Sequence, residues 1–231
     1  MALNIFDLDD APKPSNGSRF SEDIVGSIRG GYQENDLPVA TETLTFLSDD
    51  PDVTDALIAV FGGEVEELDV EKGFDRRIVS DTSEVVLLLD SPESLRSQFV
   101  LYGQSGLVFA TDGDTITDGE TYSGASVGEP WTDKPESLKI WKERAKKGRA
   151  PKPQIKITGK IEGLENLGYF RYQTSGWSLV TDLPDIENKL EASTESPIRV
   201  KLSFKRVKFT IKGGPNKGDE VSYVRPYVEV L

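Results

Sequence analysis

The chain has 231 residues, with 40 Asp or Glu against 27 Lys or Arg, and its formal net charge is −13. It contains no His and no Cys. Without these residues there can be no disulfide, thiolate nucleophile, imidazole base, Ser-His-Asp triad or zinc ribbon. Only carboxylate, lysine or magnesium-type chemistry remains, and no motif supports it. We therefore expect a protein with no enzymatic activity and no cofactor.

The two halves of the chain carry opposite charge. Residues 1–130 hold 27 acidic and 7 basic residues, a net charge of −20, whereas residues 131–231 hold 13 acidic and 20 basic residues, a net charge of +7. This asymmetry predicts two surfaces with different partners, or two parts that attract each other; a simple acidic, solubilising half is the alternative. Because neutralisation of phosphates drives affinity for DNA, we expect a poor general DNA binder.

The sequence shows no pattern of a targeting or membrane segment. Residues 1–7 lack a basic region followed by an apolar run. The longest apolar stretch, Val85–Leu89, is far too short to span a bilayer. We therefore expect a soluble cytoplasmic protein with no membrane partner.

Composition divides the chain into four parts. Residues 1–37 have scattered Pro, Gly and Ser without periodicity, which predicts an extended N-terminal arm. Residues 38–130 form an acidic α+β part, and residues 131–153 a helix with a Pro-rich hinge. Residues 154–231 form a basic, strand-rich part that ends in a hairpin.

The clearest element of the acidic part is a helix. Asp50-Pro51 supplies an N-cap followed by Pro, Val53 to Phe61 carry an apolar stripe, and Gly62-Gly63 ends the helix. Alternation and short apolar runs predict strands around it. These strands are residues 39–47, 64–70, 77–80, 84–89 and 98–102, with a helical turn at 91–95 and a hairpin of 107–110 with 115–117.

The second half is predicted to hold two helices among strands. The helices are residues 135–147 and 184–192, and the strands are 154–161, 169–174 continuing through 177–180, and a hairpin of 198–211 with 220–230. In the first hairpin arm the apolar residues change parity at Lys205-Arg206, which predicts a β-bulge that bends the strand. We therefore expect an α+β fold with mostly antiparallel, strongly curved sheets and a few short helices. A small barrel-like C-terminal part is the alternative.

Two acidic clusters have only part of a metal-site pattern. Asp112 to Glu120 has Ile116 where an EF-hand needs an oxygen ligand and lacks the following Gly, so an acidic hairpin turn is the better interpretation. The four acids of Asp49–Asp55 lie at the start of a helix, where caps and dipole partners are ordinary. We predict no metal site.

Basic residues concentrate at 142–160 and in the terminal hairpin. In the hairpin they interleave with Phe204 and Phe209, a pattern that could form a stacking platform for single-stranded DNA. The parity of the Phe residues favours the alternative, in which the rings point inward and the cations form a solvated face. The candidate nucleic-acid contacts are Lys201, Lys205, Arg206 and Lys208.

Aromatic residues cluster around Tyr169–Tyr172 and Trp177. Aromatics beside an Arg are typical of protein interfaces when they are exposed, and of cores when they are buried. The candidate contacts for a protein partner are Phe170, Tyr172, Trp177, Trp141 and Arg144.

Four segments carry a likeness to known proteins: Ala2-Leu3-Asn4-Ile5-Phe6, Gly31-Tyr32-Gln33, Thr111-Asp112-Gly113 and Leu167–Ser178. With them the chain resembles the phage recombination directionality factors that work with large serine integrases. The resemblance implies a non-enzymatic protein that binds the integrase directly and favours excision over integration. It also implies contact with DNA mainly through the integrase, no small-molecule substrate, and action in the cytoplasm of the bacterial host. A single-stranded-DNA-binding accessory of phage replication or recombination is the alternative.

Overall fold

The computed structural model describes residues 24–34, 37–70, 73–213 and 218–231. Most of the predicted N-terminal arm, up to residue 23 and including Ala2–Phe6, lies outside the described residues. The chain divides into two compact units. The first unit contains Leu95–Ile157 and Thr174–Asn188, and the second contains the described residues up to Ser94, Thr158–Gln173 and Lys189–Leu231. These boundaries differ from those of the four parts drawn from composition, which stay a prediction.

The described residues form twelve strands and four α-helices. In chain order these are β1 Ile24–Glu34, β2 Leu37–Ser48, α1 Pro51–Phe61, β3 Glu64–Glu67, β4 Arg76–Val79, β5 Glu84–Leu89, β6 Leu95–Gly103, β7 Gly106–Thr111, β8 Ile116–Gly119, α2 Leu138–Lys146, β9 Lys152–Ile161, β10 Tyr169–Thr174, α3 Trp177–Val180, α4 Leu183–Ala192, β11 Ile198–Thr210 and β12 Glu220–Val230. The fold is α+β and dominated by strands, as predicted. No helix of the described part of the chain is long and apolar enough to cross a membrane.

The second unit is built on one curved sheet with strand order β12-β11-β5-β9-β10-β1-β2-β4-β3. Strands β1 and β10 pair in parallel, whereas β1–β2, β2–β4, β3–β4, β5–β9, β5–β11 and β11–β12 are antiparallel. Arg206 on β11 and Glu42 on β2 form an ion pair at 2.6 Å although their strands are not neighbours in the sheet. The sheet is therefore strongly curved, but it does not close, so the barrel-like alternative is wrong.

The first unit is built on a β6–β7–β8 meander, with the beginning of β9 antiparallel to β6. Its helices place Trp141, Leu179 and Ile186 in the core. Ser97 on β6 donates a hydrogen bond to the buried carboxylate of Glu187 on α4, at 3.0 Å. This bond satisfies one oxygen of a charged group that would otherwise be costly to bury.

Helix α1 begins and ends where the sequence predicts. The side chain of Asp50 accepts the N–H of Asp52 at 2.8 Å, and Gly62 ends the helix with φ +69°. Leu57 and Phe61 are buried, and the Phe61 ring lies 5.0 Å from that of Phe46. Cap, stripe and stop signals are all local, which explains why this helix could be located from sequence.

The last residues of the predicted arm are instead a strand inside the sheet. Ile24–Glu34 forms β1, between β10 and β2. The glycines that contributed to the prediction of an extended arm allow close packing here. A Cβ atom at Gly26 would lie 2.6 Å from the Phe170 ring, and one at Gly30 would lie 2.3 Å from the Phe204 ring. Gly in a strand can mark such a close approach rather than a loop.

Two other local predictions are wrong. Trp177–Val180 forms helix α3 rather than a continuation of β10. Strand β11 has no bulge at Lys205-Arg206, because its pairing with β12 runs without a register shift from Val200↔Val230 to Thr210↔Glu220. The apolar residues beyond Lys205 therefore point to the opposite face of the hairpin.

Candidate partner-binding surfaces

All three tryptophans of the chain belong to one aromatic cluster in the first unit. The centre of the Trp141 ring lies 4.2 Å from the ring centre of Phe99, 5.0 Å from that of Trp131 and 5.8 Å from that of Trp177. Trp141 is only 2% exposed, and its indole N–H donates to the Pro151 carbonyl at 2.8 Å. Trp141 is therefore a core residue, whereas Trp177 remains half-buried.

Phe170 and Tyr172, the other predicted aromatic contacts, lie in the interior of the second unit. Phe170 is 0% exposed and Tyr172 3% exposed, and the Tyr172 ring lies 5.8 Å from the Phe204 ring. Strand alternation turns both side chains to the buried face and Arg171 to the other face. Phe170, Tyr172 and Trp141 cannot contact a partner in this conformation, which corrects the prediction for these three residues.

Arg144 is the predicted contact that is exposed. With Arg149 and Tyr122 it lines a cavity of about 370 Å³ in the first unit. The exposed fraction of Tyr122 is 79%, and Asp133 and Glu136 also line this cavity. The mixed charges and the exposed ring leave Arg144 as a candidate partner contact.

A larger cleft, of about 830 Å³, opens in the second unit beside β1, β2 and β10. Arg77 lies at its wall with its guanidinium carbon 4.3 Å from the centre of the Tyr32 ring. Ser27 and Thr45 also line this cleft, and their buried hydroxyls have no hydrogen-bond partner among the described residues. No sequence pattern predicted this cleft, although Tyr32 and Arg171 in its lining belong to segments that carried the resemblance.

Two of the four basic residues predicted to contact nucleic acid form ion pairs with acidic residues. Lys201 lies 2.6 Å from Glu229, and Arg206 lies 2.6 Å from Glu42. Lys205 lies over the Tyr227 ring at 5.3 Å. Lys205, Arg206 and Lys208 are exposed, whereas Lys201 is half-buried.

The two Phe residues of β11 differ in exposure. Phe204 is buried, at 4% exposure, whereas Phe209 is 49% exposed. The expectation that both rings point inward therefore holds for Phe204 only.

We predict a shifted titration for the Lys201–Glu229 pair. The hydrogen bond and charge of Lys201 hold the pKa of Glu229 below its ordinary value, and the carboxylate raises the pKa of Lys201. The stabilisation from Glu229 is therefore present above the unfolded-state pKa of this carboxyl and is lost as the pH falls through its lower folded-state pKa. Carbon-detected NMR of Glu229 should give a low midpoint that rises toward the ordinary value in Lys201→Gln. An unchanged midpoint in that variant would contradict the prediction that Lys201 lowers the pKa of Glu229.

The acidic loops use their carboxylates for local structure. Asp112 accepts the N–H groups of Asp114 and Thr115 at 2.9 and 2.8 Å, and Asp114 pairs with Lys134 at 2.6 Å. Among the described residues no group of three or more acidic side chains is arranged to hold a metal ion.

The chain also matches a known protein family. Residues 25–230 match the model of the Gp3-like family, which is described as recombination directionality factor-like. The chain belongs to this family. The match spans both compact units and confirms the resemblance drawn from the sequence. This family is one of regulatory accessory proteins of recombination. No solved structure matches the chain.

Proposed function

We propose that the protein binds a large serine integrase and switches it from integration to excision, without catalysing a reaction itself. The match of residues 25–230 to the directionality-factor family carries this proposal. The net charge of −13 supports it, because the overall field of an acidic protein accelerates its encounter with a basic recombinase, whichever local surface then makes the contact. In this proposal the protein acts in the host cytoplasm, contacts DNA mainly through the integrase and has no small-molecule substrate.

The proposed mechanism is a difference in binding free energy. A ligand shifts an equilibrium between two assemblies only by the difference between its affinities for them. Coupling of about 1–3 kcal/mol, or about 5- to 150-fold, is typical of such regulation. Tighter binding to the integrase on the hybrid sites, which are the substrates of excision, than on the integration sites would therefore be enough to reverse the preferred direction of recombination.

Reconstituted recombination tests the proposal. Purified integrase is incubated with either the two integration sites or the two hybrid sites, with and without this protein. The amount of recombinant DNA is measured over time. We expect hybrid-site recombination to depend on the protein and integration to be inhibited by it. An unrelated acidic protein of similar net charge controls for polyanion effects. Equal rates with and without the protein in both reactions would refute the proposal.

A second candidate function is binding of single-stranded DNA by the terminal hairpin. The observation that favours it is the exposure of Lys205, Arg206 and Lys208 beside the exposed ring of Phe209. Fluorescence anisotropy with a labelled oligonucleotide, without integrase, tests it. Tight binding that weakens steeply with salt, and further in Lys205→Gln with Lys208→Gln, would support this candidate. In a gel mobility-shift assay, retardation by this protein of integrase-bound hybrid sites, but not of free DNA, would support the first proposal.

A further inference from the structure

The outer half of the β11–β12 hairpin has an apolar face that the core of the second unit does not use. Val200, Leu202 and Phe204 point into the core and are buried. Because the pairing continues without a bulge, Val207 and Phe209 lie on the opposite face of the same ribbon.

The partner strand completes this face. Val207 pairs with Tyr223, and Phe209 pairs with Val221. The exposed fractions are 49% for Phe209 and 40% for Tyr223, and their rings make an edge-to-face contact at 6.4 Å. Scattered exposed apolar side chains are ordinary, but two adjacent cross-strand pairs form a contiguous patch of the kind that marks an interaction site. We call Val207, Phe209, Val221 and Tyr223 the hairpin patch.

Positive charge borders the hairpin patch. Lys205 and Arg225 lie directly opposite each other, next to the Val207↔Tyr223 pair and on the same face. Both cations approach the Tyr227 ring, at 5.3 and 4.9 Å. This border is basic, so it complements a carboxylate-bearing surface rather than the same border of a second copy.

We propose that the hairpin patch is the surface by which the protein docks on the recombinase, and that it receives an apolar ridge flanked by Asp or Glu side chains. This inference rests on the proposed function. A symmetric contact between two copies would bring Lys205 and Arg225 of one copy toward those of the other. Naked DNA fits less well, because the two valines offer neither stacking nor hydrogen bonding.

The first test is a pair of matched double variants in direct binding to purified integrase. Phe209→Ser with Tyr223→Ser removes the two rings of the hairpin patch. Tyr102→Ser with Leu107→Ser removes an exposed cross-strand pair of the first unit, 59% and 40% exposed, that lines none of the cavities described above. We expect the hairpin variant to bind about tenfold or more weakly and to lose stimulation of excision, and the control to match the wild type. Lys205→Glu should weaken binding as well.

A second measurement does not depend on the stability of the serine variants. A photoreactive phenylalanine analogue replaces Tyr223, or Tyr102 as control, and cross-linked peptides are identified by mass spectrometry. We expect position 223 to cross-link to an integrase segment with apolar and acidic residues, and position 102 to give no such product. If the wild type binds integrase but position 223 gives no integrase product, or if the hairpin variant binds normally, the inference is refuted and the proposed function stands. Cross-linking of position 223 to a second copy or to DNA would also refute it. Failure of the wild type to bind integrase would refute both.

Discussion

Replacing Trp141 by Ala is expected to lower the free energy of unfolding of the first unit by about 3–5 kcal/mol. The substitution leaves a cavity where the indole packs against Phe99, Trp131 and Trp177, with ring centres 4.2, 5.0 and 5.8 Å apart. It also removes the donor to the Pro151 carbonyl, which adds the cost of an unsatisfied acceptor. Urea unfolding followed by circular dichroism measures the change.

Two controls separate cavity formation from loss of an exposed aromatic. Trp141→Phe keeps most of the packed volume and should cost clearly less than Trp141→Ala. Tyr122→Ala, at a side chain that is 79% exposed, should change stability by less than about 0.5 kcal/mol. If Trp141→Ala were as stable as Tyr122→Ala, the aromatic cluster would not be the core of the first unit.

The second large effect is expected at Gly31, on β1. Its φ of +149° is in the region that side chains rarely adopt, and a Cβ atom would lie 2.2 Å from the carbonyl oxygen of Val39 on the paired strand. Gly31→Ala should therefore destabilise the second unit by roughly 2–6 kcal/mol, since backbone strain and overpacking each cost about 1–3 kcal/mol. Thermal and urea unfolding measure it.

Gly213→Ala is the matched control for this substitution. No atom of the described residues lies within 4 Å of a Cβ built at Gly213. Its expected effect is within about 0.5 kcal/mol. Equal stability of the two variants would mean that β1 and β2 do not approach as closely as described.

The sequence predicts elements whose signals are local. The Asp50 cap, the stripe containing Leu57 and the Gly62 stop define α1, and the long alternation of β11 and β12 defines their hairpin. The mainly antiparallel α+β class follows from the number of short strands with turns between them. These predictions succeed because neighbouring residues decide them.

The errors occur where distant residues decide the structure. The glycines of β1 favour an extended arm until the rings of Phe170 and Phe204, from strands much later in the chain, are known to lie against them. Phe170 and Tyr172 could equally have been exposed, because one side of an alternating strand cannot be assigned to the core without its neighbours. The parity change in β11 is visible in the sequence, but its cause is a hairpin whose inner half turns its apolar side chains into the core and whose outer half carries them on the opposite, exposed face.

The interleaving of the two units along the chain constrains how the protein can be made and dissected. Strand β5 is completed at Leu89, yet it pairs with β11, whose first partner, Ile198, is synthesised much later. Contacts between such distant residues slow folding. The second unit therefore cannot complete its sheet on the ribosome until β11 and β12 have emerged. Because the segments of each unit alternate along the chain with segments of the other, cutting the chain at any single site does not give two fragments that each contain one whole unit.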